Sequence, residues 1–151
     1  GSLNSRGWTE INLAGPPIVF ALVMGLLLSR QLNLLGLGDE LSVGLGNSLF
    51  RSRCLIGASA TLLAASSVSV GGLIGFVGLI VPHAVRFLFG TDYRIVLPFS
   101  ALLGAFTLST ADLIARSGSI ELPVGIITSL VGAPIFIFLL YRRQKSLTSL
   151  R

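Results

Sequence analysis

The chain has 151 residues, 52% of them apolar and 11% charged, against about 25% charged in typical soluble domains, and its mean hydropathy is +0.88. The apolar residues fall in several blocks, which excludes a soluble domain with one anchor and points to a polytopic membrane protein. The net charge of +5 comes from cations at the ends of those blocks and forms no basic face, so nucleic acid is not an expected partner. Cys54 is the single cysteine, which leaves no disulfide framework and no cysteine-rich metal site. Near a helix start it reads as a packing residue.

Residues Gly1 to Asn12 are polar, and Trp8 reads as an interfacial residue just outside the hydrocarbon. Gly1 is not expected to be a native start, and no signal-peptide pattern precedes the first apolar block. That block, 13–29, is the first expected span, with Pro16 and Pro17 placed in its first turn, where missing N–H groups lose no partner. The stretch 31–53 carries Asp39 and Glu40, is bracketed by Arg30, Arg51 and Arg53, and is too polar to cross. Gly36, Gly38, Gly44 and Gly46 divide it into short helical pieces, the best being Asp39 to Leu45. The second span, 54–70, is rich in alanine and serine, which suits close helix packing.

Gly71 to Arg94, GGLIGFVGLIVPHAVRFLFGTDYR, is the most unusual stretch. Each glycine costs about 1 kcal/mol relative to alanine in a helix interior, yet Gly71, Gly72, Gly75 and Gly78 precede Pro82 and His83. In lipid, small residues allow close helix approach and a proline is tolerated where neighbours satisfy the freed carbonyl. A short crossing at 75–89, broken at Pro82, is expected, and such helices line cavities or moving parts. The fourth span is 95–116, with Pro98 in its first turn, and the fifth is 123–141, before Arg142-Arg143-Gln144-Lys145. About 20 residues cross the hydrocarbon core, so the four longer blocks fit with modest tilt.

Alternation of five crossings permits a charge test. With the 31–53 loop inside, Arg30, Arg51, Arg53, Arg86, Arg94, Arg142, Arg143, Lys145 and Arg151 all lie inside, nine of the eleven cations. Arg6 and Arg116 then lie outside. The positive-inside rule selects this orientation, with a cytoplasmic C-terminus, and supports counting the short third segment as a crossing.

Three places are candidates for function. Asp39 and Glu40 read either as solvated acids near a helix N-terminus or as part of a docking element. The interleaved Leu34, Leu35, Leu37, Leu41, Val43 and Leu45 favour contact. Asp112 and Arg116, four apart, share a helix face. They read as an ion pair at the outer boundary, or Arg116 awaits an acidic partner. His83 has no second histidine or nearby carboxylate, so packing is favoured over proton relay and no metal is expected. No GxxxxGK[ST] loop or nucleophile–base pattern is present, so neither an enzyme site nor a bound cofactor is expected, and any ATP belongs to another subunit. A small ion channel would want a pore-lining ring of charge or carbonyls that this sequence lacks.

The stretches LNLLGLGDELSVGLG, GGLIGFVGLIVPHAVRFLFGTDYRIVLPFSALLGA, ADLIAR and ELPVGIITSLVGAPIFIFLLYRR resemble, in order and over nearly the whole chain, permease subunits of FecCD/BtuC-type ABC importers. These carry iron-siderophores, haem or vitamin B12. The resemblance implies an all-α membrane helix bundle and the C-terminal half of a permease about twice this long, in the bacterial plasma membrane. It implies a second permease subunit, a cytoplasmic ATPase dimer that binds the ATP, and an extracytoplasmic substrate-binding protein. Gly38, Asp39, Glu40, Gly44 and Gly46 then fall in the ATPase-coupling contact. Ser42 stands where the family often has alanine. Arg116 matches an arginine that pairs with a glutamate of the docked binding protein, and Glu121 opens the last helix near the outer mouth. Gly75, Gly78, Pro82 and His83 are candidates for a broken-helix gate or for packing. Iron-siderophore import is the leading expectation. The alternatives are haem or vitamin B12 import, or a truncated half-permease that docks an ATPase as a scaffold without transporting.

Overall fold

The computed structural model describes residues 7–117 and 123–148 and, within these, the side chains of all but 135 and 138–148. Seven helices follow in order: α1 (Trp8–Leu27), α2 (Ser29–Gly36), α3 (Asp39–Gly44), α4 (Leu49–Gly71), α5 (Val77–Phe89), α6 (Tyr93–Arg116) and α7 (Val124–Thr148). The all-helical expectation holds, with no strand among the described residues. Helices α1, α4 and α6 are long and apolar enough to cross a membrane, and α5 and the apolar Val124–Pro134 stretch of α7 are shorter. Each of the five apolar blocks becomes one helix.

Helices α1 and α6 begin before their apolar blocks because polar residues cap them. Helix α1 begins at Trp8, whose neighbour Gly7 donates its N–H to Glu10 Oε2 at 2.8 Å, an acid suited to a helix N-terminus. Trp8 is therefore the first helical residue rather than part of a polar lead-in. Pro16 and Pro17 lie inside α1, not in its first turn, and leave the Asn12 and Leu13 carbonyls without their intrahelical donors. Pro98 likewise falls in the second turn of α6, since Asp92 caps that helix and Tyr93 begins it.

The largest packing contact joins α1 to α4, and its seam is built from small residues. Ala14 and Ala21 are buried along α1 and Leu28 just past its end, and Ser52, Ser59 and Ser66 along α4. Both sets repeat every seven residues, the spacing that keeps one stripe facing a partner at a shallow crossing angle. Cys54 lies off that stripe and is exposed. The packing role expected for it is not observed, because two residues beyond Ser52 turn it about 200° away.

Helix α5 continues through Pro82. A proline six positions into a helix removes one hydrogen bond, and its ring meets the carbonyl of Gly78, a residue with no side chain to crowd it. The interruption lies instead at 72–76, before α5 begins. There Phe76 adopts φ 65, a left-handed conformation uncommon for a bulky residue. Phe76 packs onto Gly132 of α7, where an added Cβ would collide with Phe76 Cβ, and its ring meets Phe136 edge-on at 6.3 Å. Gly132 is about 12 Å along α7 from Val124 at 1.5 Å per residue. The 13 residues of α5 cover about 20 Å of a hydrocarbon core near 30 Å, so the 72–76 segment has to reach inward. Phe76 wedged on Gly132 is how it does so.

Any side chain at 132 collides with Phe76. Gly132→Ala is expected to destabilise the protein by about 1–3 kcal/mol, the usual cost of overpacking, and Gly57→Ala, where nothing lies within 4 Å, to cost nothing. Thermal unfolding in detergent checks this, and equal midpoints for the two variants would contradict the wedge.

Candidate functional site

The C-terminal end of α1, the N-terminal end of α4 and the α5–α6 turn gather at one end of the bundle, tied together by side chains of α2 and α3. Helix α3 has six residues, too few to be stable alone, and is delimited by two glycines in left-handed conformations, Gly38 at φ 99 and Gly46 at φ 80. A side chain would be strained at either position. Gly44 is the last residue of α3. Asp39 and Glu40 occupy the first turn, favourable to its dipole.

The two acids have different surroundings. Asp39 accepts two hydrogen bonds from Arg53 Nη2 on α4, at 2.7 and 2.8 Å. Glu40 is exposed and makes no ion pair or hydrogen bond among the described residues. Around it Leu37, Leu41, Val43 and Leu45 are each more than half exposed, an apolar and acidic surface on two short helices that are not themselves spans. Beneath that surface Ser42 is fully buried. Its hydroxyl accepts from Asn47 Nδ2 at 2.9 Å, its carbonyl accepts from Asn47 N at 3.0 Å, and Asn47 Oδ1 in turn accepts from Ser52 Oγ at 2.7 Å. The hydroxyl that distinguishes serine from alanine here closes a hydrogen-bonded chain from α3 to α4.

Helix α2 is tied to α6 by one side chain. Asn33 Nδ2 donates to Asp92 Oδ1 at 2.6 Å, and Asn33 Oδ1 accepts from Tyr93 N at 2.9 Å. Asp92 Oδ1 also accepts from Arg94 N at 2.9 Å, so it is the N-cap of α6. The Arg94 amide and then the Asn33 amide hold the Asp92 carboxyl below its usual range. The contact is therefore present above the ordinary carboxylate value and is lost only as pH falls through that lowered pKa. Arg86, at the end of α5, lies 5.3 Å from the Tyr93 ring centre. Asn33, Leu37, Arg86, Asp92 and Tyr93 line a cleft of about 560 Å³.

The residues singled out in the sequence separate to the two ends. Gly38, Asp39, Glu40, Gly44 and Gly46 lie together on the surface just described. At the opposite end Arg116 Nε meets Asp112 Oδ2 at 2.9 Å, the expected ion pair, with the Arg116 side chain about half exposed. Gly75 lies in the interrupted segment, 3.7 Å from Ser129 Oγ measured from an added Cβ. Gly78, Pro82 and His83 are in α5; His83 is exposed and makes no hydrogen bond among the described residues. Glu121 lies outside the described residues. Sequence reasoning missed Asn33, Asn47, Ser52 and Asp92. Of these, Asp92 alone carried a local signal, an aspartate just before a helical run.

The chain matches the FecCD transport family over residues 1–142. It is 43% identical to an uncharacterised ABC transporter permease of Bacillus subtilis, YvrB, over 99% of this chain and 43% of that protein. It is 44% identical to the cobalamin import system permease BtuC of Halobacterium salinarum, over 95% of this chain and 39% of the relative. The hemin transport system permease HmuU of Yersinia pestis is 42% identical, over 96% of this chain and 44% of its own length. The chain thus spans less than half the length of these relatives. A solved structure described as a metal-chelate type ABC transporter in an inward-facing conformation superposes with a TM-score of 0.88 at 36% identity, covering 94% of this chain and 46% of that one.

Removing the Ser42 hydroxyl leaves the half-buried Asn47 amide without its partner. Ser42→Ala is expected to lower local stability by about 0.5–1.5 kcal/mol, and Asp39→Asn, which breaks an exposed pair, by about 0–1 kcal/mol. Amide hydrogen exchange across 39–44 measures both, and unchanged exchange in Ser42→Ala would show that the hydroxyl contributes nothing.

Proposed function

The chain belongs to the FecCD transport family, and we propose that it forms the C-terminal half of a permease subunit in an ATP-driven importer of iron-siderophore complexes. The observation that carries the docking part of this reading is the acidic, apolar surface of α2 and α3, with Glu40 unpaired among the described residues and four exposed aliphatic side chains around it. Such a surface outside the spans calls for a protein partner. We assign it to a cytoplasmic ATPase dimer that binds and hydrolyses the ATP, with Gly38 and Gly46 fixing the shape of the contact and Glu40 its charge. Asp39, already paired with Arg53, holds α3 in place for that contact.

In this reading α1, α4, α6, α7 and the shorter α5 with its 72–76 segment cross the plasma membrane, with the α2–α3 end in the cytoplasm. Arg30, Arg51, Arg53, Arg86 and Arg94 all belong to that end, and the C-terminal cations follow α7 back to it, which the positive-inside rule favours. A second permease subunit completes the pathway, and alternating access moves cargo through it. At the outer end Arg116 meets an acidic group of a substrate-binding protein; its pairing with Asp112 keeps the guanidinium extended toward water.

Two variants test the two contacts. Glu40→Lys in the assembled importer is expected to abolish energised uptake while the protein still inserts into the membrane, and unchanged uptake would remove Glu40 from the ATPase contact. Arg116→Glu is expected to weaken binding-protein docking more at low salt than at high salt, because salt screens the reversed charge. Equal docking of variant and parent would remove Arg116 from that interface. Radiolabelled ferric siderophore, haemin and cyanocobalamin, offered in parallel to membrane vesicles, identify the cargo; uptake of either of the latter two alone would replace iron-siderophore in the assignment.

A further inference from the structure

We infer that the Asn33–Asp92 clasp is the positioning device through which the α2–α3 segment moves the α5–α6 hairpin, an inference that rests on the importer reading above. Among the described residues, the hydrogen bonds of Asn33 are the only side-chain hydrogen bonds or ion pairs by which α2 holds another helix. Helix α2 has eight residues, too few to be a stable helix on its own, so its position depends on what it is attached to. Asn33 uses both ends of its amide on α6. It accepts from one of the helix's unpaired N-terminal N–H groups, that of Tyr93, and donates to the carboxylate that caps the next, that of Arg94. A displacement of α2 therefore acts on the first turn of α6 rather than on a loop.

The load then has a defined route. Arg86 stacks over Tyr93, joining the end of α5 to the same turn of α6, and α5 and α6 pack on each other along their length. A groove of about 320 Å³ runs between α5, α6 and α7, lined by Val77, Ile80, Thr107, Thr110, Thr128 and Gly132 among others. A tilt of the hairpin changes the width of that groove. On the other side of the segment, α3 is bolted to the start of α4 by Asp39–Arg53 and by Ser42–Asn47–Ser52. The α2–α3 segment thus holds α4 through one set of bonds and the α5–α6 hairpin through the clasp.

The clasp can be broken and rebuilt without changing the number of its atoms. Asn33→Asp keeps the acceptor for Tyr93 N but sets a second carboxylate against Asp92. Adding Asp92→Asn to it restores an amide–carboxylate bond with donor and acceptor exchanged; because Asp92 Oδ1 accepts both from Asn33 and from Arg94 N, the amide nitrogen introduced at position 92 takes that place and the bond from Arg94 N is given up. The measurement is ATP hydrolysis and uptake of radio-iron ferric citrate, in parallel, by the complete importer reconstituted in liposomes. The importer with Asn33→Asp is expected to hydrolyse ATP at the parental rate but to lose about tenfold in uptake per ATP, the loss of one charge-assisted hydrogen bond. The double variant is expected to recover to within about threefold of the parent. Parental uptake per ATP in Asn33→Asp would overturn the clasp as a coupling element. So would a loss of assembly that the exchange does not repair, which would make Asn33 a folding residue. A parental complex that neither hydrolyses ATP nor assembles with an ATPase would overturn the importer reading itself, and the inference with it. If the parent hydrolyses ATP but does not carry ferric citrate, the same ratio is read with the chelate it does carry.

Discussion

Hydrocarbon offers no hydrogen-bond partner to protein, and that constraint sorts the polar chemistry of this chain by depth. Among the described residues, the side-chain hydrogen bonds and ion pairs that join separate elements gather at the α2–α3 end: Asn33 to Asp92 and Tyr93, Asn47 to Ser42 and Ser52, Asp39 to Arg53, Arg86 to Tyr93. Inside the long helices several hydroxyls turn back on their own backbone instead, although Ser100 Oγ of α6 is buried without a partner among the described residues. Ser59 donates to Leu55 O, Thr107 to Leu103 O, Thr110 to Phe106 O and Thr128 to Gly125 O. These groups are satisfied locally, so the spans have to be held together by shape.

Shape is supplied by small residues at fixed intervals. The seam of Ala14, Ala21 and Leu28 against Ser52, Ser59 and Ser66 lets α1 and α4 approach closely, and van der Waals contact over that length replaces the hydrophobic drive that lipid cannot provide. The same logic explains Gly132. Helix α5 is too short to cross alone, the 72–76 segment has to enter the bundle, and only a residue without a side chain leaves room for Phe76 there. The left-handed conformation of Phe76 is tolerable because Gly132 and Phe136 hold its side chain.

Much of this is legible in the sequence. Apolar runs locate the four longer helices and the shorter α5, and the glycines at 38 and 46 mark out α3 to within a residue. The family resemblance rests on stretches that run through α2 and α3, through α5 into α6, and along α7. What is not legible has a common cause. The clasp joins residues 59 and 60 apart in the chain, and no periodicity reports which of several asparagines will meet a distant helix cap. Proline is the strongest local breaker, so the sequence points to an interruption at Pro82. The tertiary wedge at Phe76 puts it in the 72–76 segment instead, while Gly78 relieves the crowding that Pro82 would cause. Apolar residues alone set the starts of α1 and α6 too late, because Glu10 and Asp92 extend these helices beyond the residues that reveal them.

The division between a polar end and shape-packed spans bears on how such a bundle can move. Close-packed interfaces do not deform continuously; they hold one arrangement or switch to another. Hydrogen bonds at a wet surface exchange with water at a net cost of only about 0.5–1.5 kcal/mol each, so they can be rearranged one at a time. A partner acting on α3 therefore meets the part of the molecule that yields in small steps, while α5 and α6 respond as a rigid pair. Because both halves of the Asn33 amide engage the first turn of α6, rotation of α2 about that turn breaks one bond before the other. A pull on α2 is therefore passed to that turn through both bonds at once, whereas a rotation is partly absorbed by the loss of one.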